Sequence, residues 1–348
     1  MTPQRDGIAV GVVGLGYWGP NLARNFAALE DCELRWCCDR SEEALARWGR
    51  AFPGTLFTPT LDDLLADDGL DAVVVATDVP SHAPITLAAI AAGKHCFVEK
   101  PLSQSSEEAG EIGGASRAAG LVLMVGHLLE YHPGVAKLKE IVDSGELGEI
   151  HYLYSNRLNL GKLRQAENAL WSLGAHDVSV VLHLLEEEPT EVLARGESFL
   201  RDGVQDVVFC YLRFPSGRVA HMHLSWLDPH KERRFTVVGA RRMATFDDME
   251  LERKVTVYDK GFDRDFRNWG EYITRSGDVM SPQVSNEEPL RIECRHFLDC
   301  VRAGVEPRSG AGSALRTVRV LEALQRSLDG GGVTVELAPA AGARTAGQ

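Results

Sequence analysis

The chain has no Cys-x-x-Cys pair, no long apolar run and no surplus of basic charge. Its seven cysteines, Cys32, Cys37, Cys38, Cys96, Cys210, Cys294 and Cys300, are odd in number and scattered. That spacing argues against a zinc or disulfide framework and for a reducing, cytoplasmic setting. Met1–Gly7 is polar, with no signal-type stretch, and the apolar run Ala72–Thr77 is far too short to cross a bilayer. Acidic residues outnumber basic ones, 50 to 37, for a net charge of −13. A surplus of that sign disfavours broad contact with nucleic acid or anionic lipid. No internal repeat is present. With 44% hydrophobic and 25% charged residues, 348 residues suffice for about two domains, each with its own core.

The first third alternates short apolar runs with helical patterns. Strands are expected at Ile8–Val13, Glu33–Cys38, Ala72–Ala76, His95–Glu99 and Leu121–Val125, with helices between them. Alternation of this kind, with strands apolar throughout, predicts a parallel sheet covered on both faces. After Gly126 the pattern changes. A helix at Pro133–Asp143 is followed by long alternating strands, from Ile150–Arg157 to Lys254–Tyr258, interrupted by a helix near Gly174–Leu185. This is the pattern of an antiparallel sheet. Asp259–Glu288 reads as a long polar loop, and helices return at Leu290–Ala303 and Ala311–Leu328. The expected domains are 1–127, an α/β dinucleotide-binding domain, and 128–348, an α+β domain with a large, mostly antiparallel open sheet for substrate and oligomerisation.

Gly14-Leu15-Gly16-Tyr17-Trp18-Gly19 is a G-x-G-x-x-G placed directly after a strand and before a helix. In that context Gly14 permits the turn, Gly16 lets backbone amides approach a pyrophosphate, and Gly19 allows the helix to pack on the strand. The helix N-terminus adds unpaired N–H groups and partial positive charge. Asp39 ends the next strand, 20 residues after Gly19, where a carboxylate accepts hydrogen bonds from ribose hydroxyls and repels a 2′-phosphate. NAD is therefore expected over NADP. Arg40 either stacks on adenine, neutralises a 2′-phosphate or is a solvated turn residue. Glu99-Lys100-Pro101 follows a strand end, which puts Lys100 near the reactive end of a cofactor. Arg157, Asn159, Lys162 and Arg164 cluster after another strand, and paired cations suit a diphosphate. His221 and His223 share a strand face but make only half a zinc site, so no metal is expected.

Taken together, these motifs resemble the glucose–fructose oxidoreductase / inositol dehydrogenase / MocA family. The likeness runs through Gly14 to Gly19, Asp39, Thr77 and His82, Gly93-Lys94-His95, Glu99-Lys100-Pro101, Gly126-His127, Tyr131, Pro133 and the segment Leu170–Asp177. It implies a Rossmann domain, a mostly antiparallel sheet domain and an active site at the crevice between them. It also implies cofactor contacts from Gly14, Gly16, Tyr17, Trp18, Gly19, Asp39, Arg40, Thr77, His82, Glu99 and Lys100. Lys100 and His176 map onto the family's catalytic pair, with Tyr131, Arg157, Asn159, Lys162, Arg164 and Ser172 toward the substrate. One position departs: Ser172 stands where the family has an aspartate, four residues before His176. Serine cannot tune a base by charge, so which of Lys100 and His176 accepts the proton stays open. A finer resemblance, through Gly16–Asn21, Glu130-Tyr131, Arg157–Gly161 and Ser225–Pro229, is to nucleotide-sugar 3-dehydrogenases of amino-sugar biosynthesis of the kanosamine type, which feed an aminotransferase. A free-sugar or inositol dehydrogenase, an NAD-dependent glycoside hydrolase and a non-catalytic NAD-binding sensor are the alternatives. A homodimer or homotetramer is expected, because the exposed face of a large antiparallel sheet buries well against a second copy.

Overall fold

The computed structural model describes residues 7–161, 167–265 and 271–338. The described chain divides into two compact units. The first takes in the chain up to Tyr131 and Glu287–Arg319; the second takes in His132–Asn286 and the chain from Val320.

The first unit is built from β1 (Ile8–Val13), α1 (Gly19–Ala27), β2 (Cys32–Cys38), α2 (Glu42–Gly49), β3 (Leu56–Thr58), α3 (Leu61–Leu65), β4 (Ala72–Val75), α4 (His82–Ala91), β5 (His95–Glu99), α5 (Ser106–Ala118) and β6 (Leu123–Gly126). The six strands are parallel, in the order β3-β2-β1-β4-β5-β6. Every residue of β1, β4 and β6 is buried, which accounts for apolar runs without alternation. Helix starts follow local chemistry: Ser41 and Ser105 cap α2 and α5 by accepting from Ala44 N–H and Glu108 N–H.

The second unit contains α6 (Pro133–Asp143), β7 (Ile150–Leu160), a π-helical turn (Leu170–Gly174) leading into α7 (Ala175–Leu185), and β8 (Glu191–Glu197), β9 (Val207–Arg213), β10 (Val219–Ser225), β11 (Leu227–Gly239), β12 (Met243–Asp247), β13 (Val255–Asp265) and β14 (Glu271–Met280). The chain then forms α8 (Pro289–Ala303), α9 (Ala311–Asp329) and β15 (Val335–Glu336). Among the described residues the second sheet runs β14-β13-β12-β11-β7-β10-β9-β8-β15. All its pairs are antiparallel except β7 with β10. In β10, for example, Ala220, Met222 and Leu224 are buried while His221 and His223 sit on the more open face.

Three features differ from the sequence reading. The short pair β3 and α3 was absent from it; three residues, only one of them buried, give too little pattern to see. Much of the expected loop Asp259–Glu288 is the hairpin β13–β14, whose polar residues pair by backbone rather than by apolar alternation. The third concerns the domains. The segment Glu287–Arg319 returns to the first unit, so a single cut after residue 127 does not describe how the chain divides. The return is held by chemistry. Arg24 of α1 pairs with Glu288 at the start of α8 at 2.5 Å, and Arg295 and Arg302 of α8 both pair with Asp31. Phe297 of α8 meets Phe26 and Phe97 edge-on, at ring separations of 6.2 and 5.7 Å. Ser309 donates its hydroxyl to the Val125 carbonyl and accepts Val125 N–H at its own, covering the edge strand β6.

Phe297 is fully buried at that junction. Phe297→Ala is expected to cost the first unit about 3–5 kcal/mol. Urea unfolding followed by tryptophan fluorescence checks this; a loss under about 1 kcal/mol would mean that α8 is not part of that core.

Candidate active site

The site in the first unit begins at the turn after β1. Gly14 has φ +96°, and a Cβ there would lie 2.6 Å from the Ala76 carbonyl oxygen. A Cβ on Gly19 would lie 1.8 Å from the Gly14 carbonyl oxygen, so α1 can start this close to β1 only with glycine. A Cβ on Gly16 would meet nothing within 4 Å. The turn's middle therefore faces open space, with the α1 N-terminus behind it. Asp39 does more than wait for a ribose: its Oδ2 accepts Leu15 N–H at 2.6 Å and its Oδ1 accepts Ser41 N–H at 2.8 Å. The carboxylate thus pins the glycine turn to the end of β2 and keeps lone pairs for a further donor. Arg40 and Tyr17 are exposed beside it, and Tyr17 stacks on Trp18. This cradle fits a dinucleotide: amides at a helix N-terminus for the pyrophosphate, and a carboxylate at the second strand for the ribose.

Lys100 follows β5 and is joined to Pro101 by a cis peptide. Its backbone N–H donates to its neighbour, Glu99 Oε2, at 3.2 Å. His82 was expected at the cofactor and is instead buried as a tie. Its Nδ1 lies 2.9 Å from the Pro101 carbonyl and its Nε2 3.2 Å from the Thr77 carbonyl. Burial lowers its pKa, against the pull of the two carbonyls; both are acceptors, so a neutral ring donates to one of them. Thr77 lies against Gly14, its methyl 3.0 Å from where a Cβ would be.

Tyr131 is likewise corrected. Expected at the substrate, it is 2% exposed, its hydroxyl 2.9 Å from Ser309 Oγ, with the Arg308 guanidinium over its ring. It is a core residue tying the end of the first unit's chain to the returning segment.

In the second unit, His176 and Ser172 are both partly exposed. Ser172 lies in the π-helical turn and His176 in the first turn of α7. Such turns are rare and often found at functional sites. Trp171 is buried and donates its indole N–H to Gln325 Oε1 at 3.1 Å, a packing role. Arg157 is the second substrate-side correction. It is 7% exposed and its guanidinium pairs with the fully buried Asp177, next to His176. That arginine is already neutralised, and it anchors α7 to β7 rather than presenting a free cation to phosphate. Asn159 is partly exposed further along β7. Lys162 and Arg164 lie outside the described residues. His221 and His223 stack on Tyr154 and Phe209 at 5.0 and 4.4 Å.

His127 and Glu130, which entered the sequence reading only as parts of motifs, and Glu293, which did not enter it, are all buried in the first unit. The signal was present for Glu293, which sits on the stripe of Leu290, Cys294, Phe297 and Leu298, an apolar face at helical spacing that a carboxylate interrupts.

A nucleotide-binding parallel sheet with this cradle, joined in one chain to a large open sheet, defines a dinucleotide-dependent oxidoreductase. Comparison with known proteins agrees. Residues 8–127 match the model of the oxidoreductase family with an NAD-binding Rossmann fold, and residues 135–245 match the Gfo/Idh/MocA C-terminal domain. The chain belongs to the Gfo/Idh/MocA family and is an NAD-dependent oxidoreductase. It is 29% identical over 252 residues to a UDP-N-acetylglucosamine 3-dehydrogenase of Acidithiobacillus ferrooxidans, covering 72% of this chain and 77% of that one. It is 26% identical over 331 residues to a myo-inositol 2-dehydrogenase of Thermotoga maritima, covering 92% and 96%. The crystal structure of GenD2, from gentamicin A biosynthesis and in complex with NAD, superposes with a TM-score of 0.81 at 26% identity, covering 97% and 99%. Among the described residues no helix is long and apolar enough to cross a membrane.

Burial raises the Glu130 carboxyl to about 8, against the pull of Arg308 and Arg316. A raised folded pKa favours folding fully below the ordinary carboxyl range, and that contribution is lost as pH rises through the folded value. Glu130→Gln is therefore expected to match the wild-type Tm near pH 4 and to exceed it increasingly up to about pH 8, by on the order of 5 °C. Thermal melts across that range check it; a constant offset at all pH values would contradict the assignment.

Proposed function

We propose that the chain oxidises a ring hydroxyl, at C3, of a nucleotide-activated hexose, giving a 3-keto sugar for an aminotransferase. The observation that carries this reading is the similarity to the Acidithiobacillus 3-dehydrogenase, together with the finer motif resemblance at Gly16–Asn21 and Ser225–Pro229. NAD, when bound, supplies the hydride acceptor. The chain's own residues do the rest. His176 takes the hydroxyl proton, imidazole being the side-chain type best suited to general-base work near neutral pH. The Lys100 ammonium donates a hydrogen bond to the same oxygen and stabilises its developing negative charge. With serine at 172, no carboxylate four residues before His176 raises its basicity, so the lysine carries more of the stabilisation.

Lys100→Met and His176→Asn are each expected to lower kcat by about 100-fold or more while leaving the melting temperature near wild type. The substrate class is read from absorbance at the NADH band with a panel of nucleotide sugars, free sugars and polyols. Signal from a free polyol and none from any nucleotide sugar would overturn the proposed substrate. One observation favours that second reading, a free-sugar or inositol dehydrogenase: the Arg157–Asp177 pair removes one of the cations expected at a diphosphate.

The open face of the second sheet supports assembly with a second copy of this chain. Across it run Leu193, Tyr211, His221 and Tyr154 in register, beside a row that includes Phe209 and His223. Phe209 is 53% exposed, and exposed aromatics stacked along a broad sheet face suit a self-complementary contact. Phe209→Glu is expected to shift the wild-type dimer or tetramer toward monomer in sedimentation velocity; a monomeric wild type would sink the proposal.

A further inference from the structure

Helix α9 brings one polar side chain, Gln325, to the start of the helix that carries Ser172 and His176. Gln325 Oε1 accepts from Asn168 Nδ2 at 2.9 Å and from the Trp171 indole N–H at 3.1 Å, while its Nε2 donates to Asp329 Oδ1 at 2.8 Å. Asn168 Nδ2 also donates to Gln205 Oε1 at 2.9 Å. Asn168 Oδ1 accepts Trp171 N–H at 3.2 Å, three residues on, which is the bond a capping side chain makes. Two backbone bonds complete the joint. Ser172 N–H donates to the Asn168 carbonyl at 3.0 Å, and Ala169 N–H donates to the Gln205 carbonyl at 2.9 Å.

The direction of these bonds is forced. An indole N–H and a backbone N–H only donate, and a carboxylate only accepts. Trp171 and Asp329 therefore fix which end of the Gln325 amide faces each of them. The Trp171 backbone fixes Asn168 in turn, so its NH2 group points at Gln325 and Gln205. All of these residues belong to the second unit. They join three separate stretches of chain: the helix start, the segment between β8 and β9, and the end of α9.

The helix start needs such a joint. The turn Leu170–Gly174 is π-helical and so wraps one residue more than an α-helical turn. Relaxing to the commoner α-helix would carry Asn168 one residue out of register with Gln205 and Gln325. At the other end, Asp177 is held to Arg157 of β7. Ser172 and His176 lie between these two tie points, and the extra residue is trapped with them.

We propose that Gln325 is a positioning residue for His176: through Asn168 and Trp171 it holds the π-helical turn, and with it the placing of Ser172 and His176. The proposal rests on His176 being the group that takes the hydroxyl proton.

The test is Gln325→Leu, which removes the acceptor shared by Asn168 and Trp171, against Gln325→Glu, which keeps an acceptor oxygen at the same place. In Gln325→Leu kcat is expected to fall about tenfold or more, as displacement of a reacting group does, and Gln325→Glu is expected to recover most of it. NAD affinity stays at the wild-type value in both, because the glycine cradle lies in the first unit. Asn168→Ser keeps a capping oxygen for Trp171 N–H and loses both amide donors. It is expected to give the same loss, and it serves where Gln325→Leu does not fold. His176 is also read directly, in protein without NAD or sugar, by deuterium exchange at the imidazole C2 with mass spectrometry of its peptide. That exchange is expected to rise in Gln325→Leu and Asn168→Ser and to keep its wild-type rate in Gln325→Glu, with His82 of the first unit unchanged throughout. An unmoved His176 exchange overturns the proposal, whether or not a sugar is turned over. A rise shared by His82 overturns it too, since that marks general loosening. Activity lost in His176→Asn but kept in Gln325→Leu overturns it as well. Full activity in His176→Asn would instead refute the assignment of the base, and the exchange would still decide the placing of the ring.

Discussion

The approach of the Gly19 Cα to the Gly14 carbonyl oxygen, where a Cβ would sit 1.8 Å away, is the constraint on which the nucleotide site depends. It lets α1 begin where β1 ends, so that the helix's unpaired amides open onto the turn rather than into neighbouring chain. Asp39 then fixes the turn from the side, through Leu15 N–H and Ser41 N–H. A carboxylate that already accepts two backbone donors is preorganised, and it needs no rearrangement to accept a third from a ribose. One side chain thus braces the turn and keeps lone pairs open to a further donor.

The first unit's core is completed by chain that returns at Glu287, more than 150 residues after Tyr131. Phe26, Phe97 and Phe297 meet edge-on, in the geometry that aromatic quadrupoles favour, and the third ring comes from α8. The same helix buries Glu293 on its inward face. The stability of the nucleotide-binding unit is in this way linked to a segment outside the Rossmann pattern, which a protein cut after residue 127 would lack.

Most of the first sheet is legible because parallel strands buried on both faces are short apolar blocks; Ile8–Val13 and His95–Glu99 are found to the residue. The glycine turn is legible because its spacing is fixed by sterics. What stays hidden follows from the same physics. β3 buries one residue and leaves no block. The β13–β14 hairpin pairs through backbone, so its polar composition reads as loop. Site residues fail where a polar side chain turns inward to satisfy the fold. His82 lies buried between two carbonyls, Tyr131 spends its hydroxyl on Ser309, and Arg157 its charge on Asp177. Motif position singles these residues out in the sequence, but partner choice is a property of the packed chain.

The Arg157–Asp177 pair shows how burial decides between binding and positioning. Both side chains are almost wholly removed from water, and a buried cation left unpaired would cost several kcal/mol, so the carboxylate is a requirement of placing arginine there. Once paired, the arginine has little net charge to offer an anion. It does have geometry to offer: Asp177 adjoins His176 on α7, and Arg157 fixes that turn of helix against β7. An arginine that looks like a substrate ligand in sequence thus becomes the group that holds the neighbouring histidine's backbone in place. Phosphate recognition, if the substrate carries a diphosphate, must come from donors with charge or N–H groups still to give.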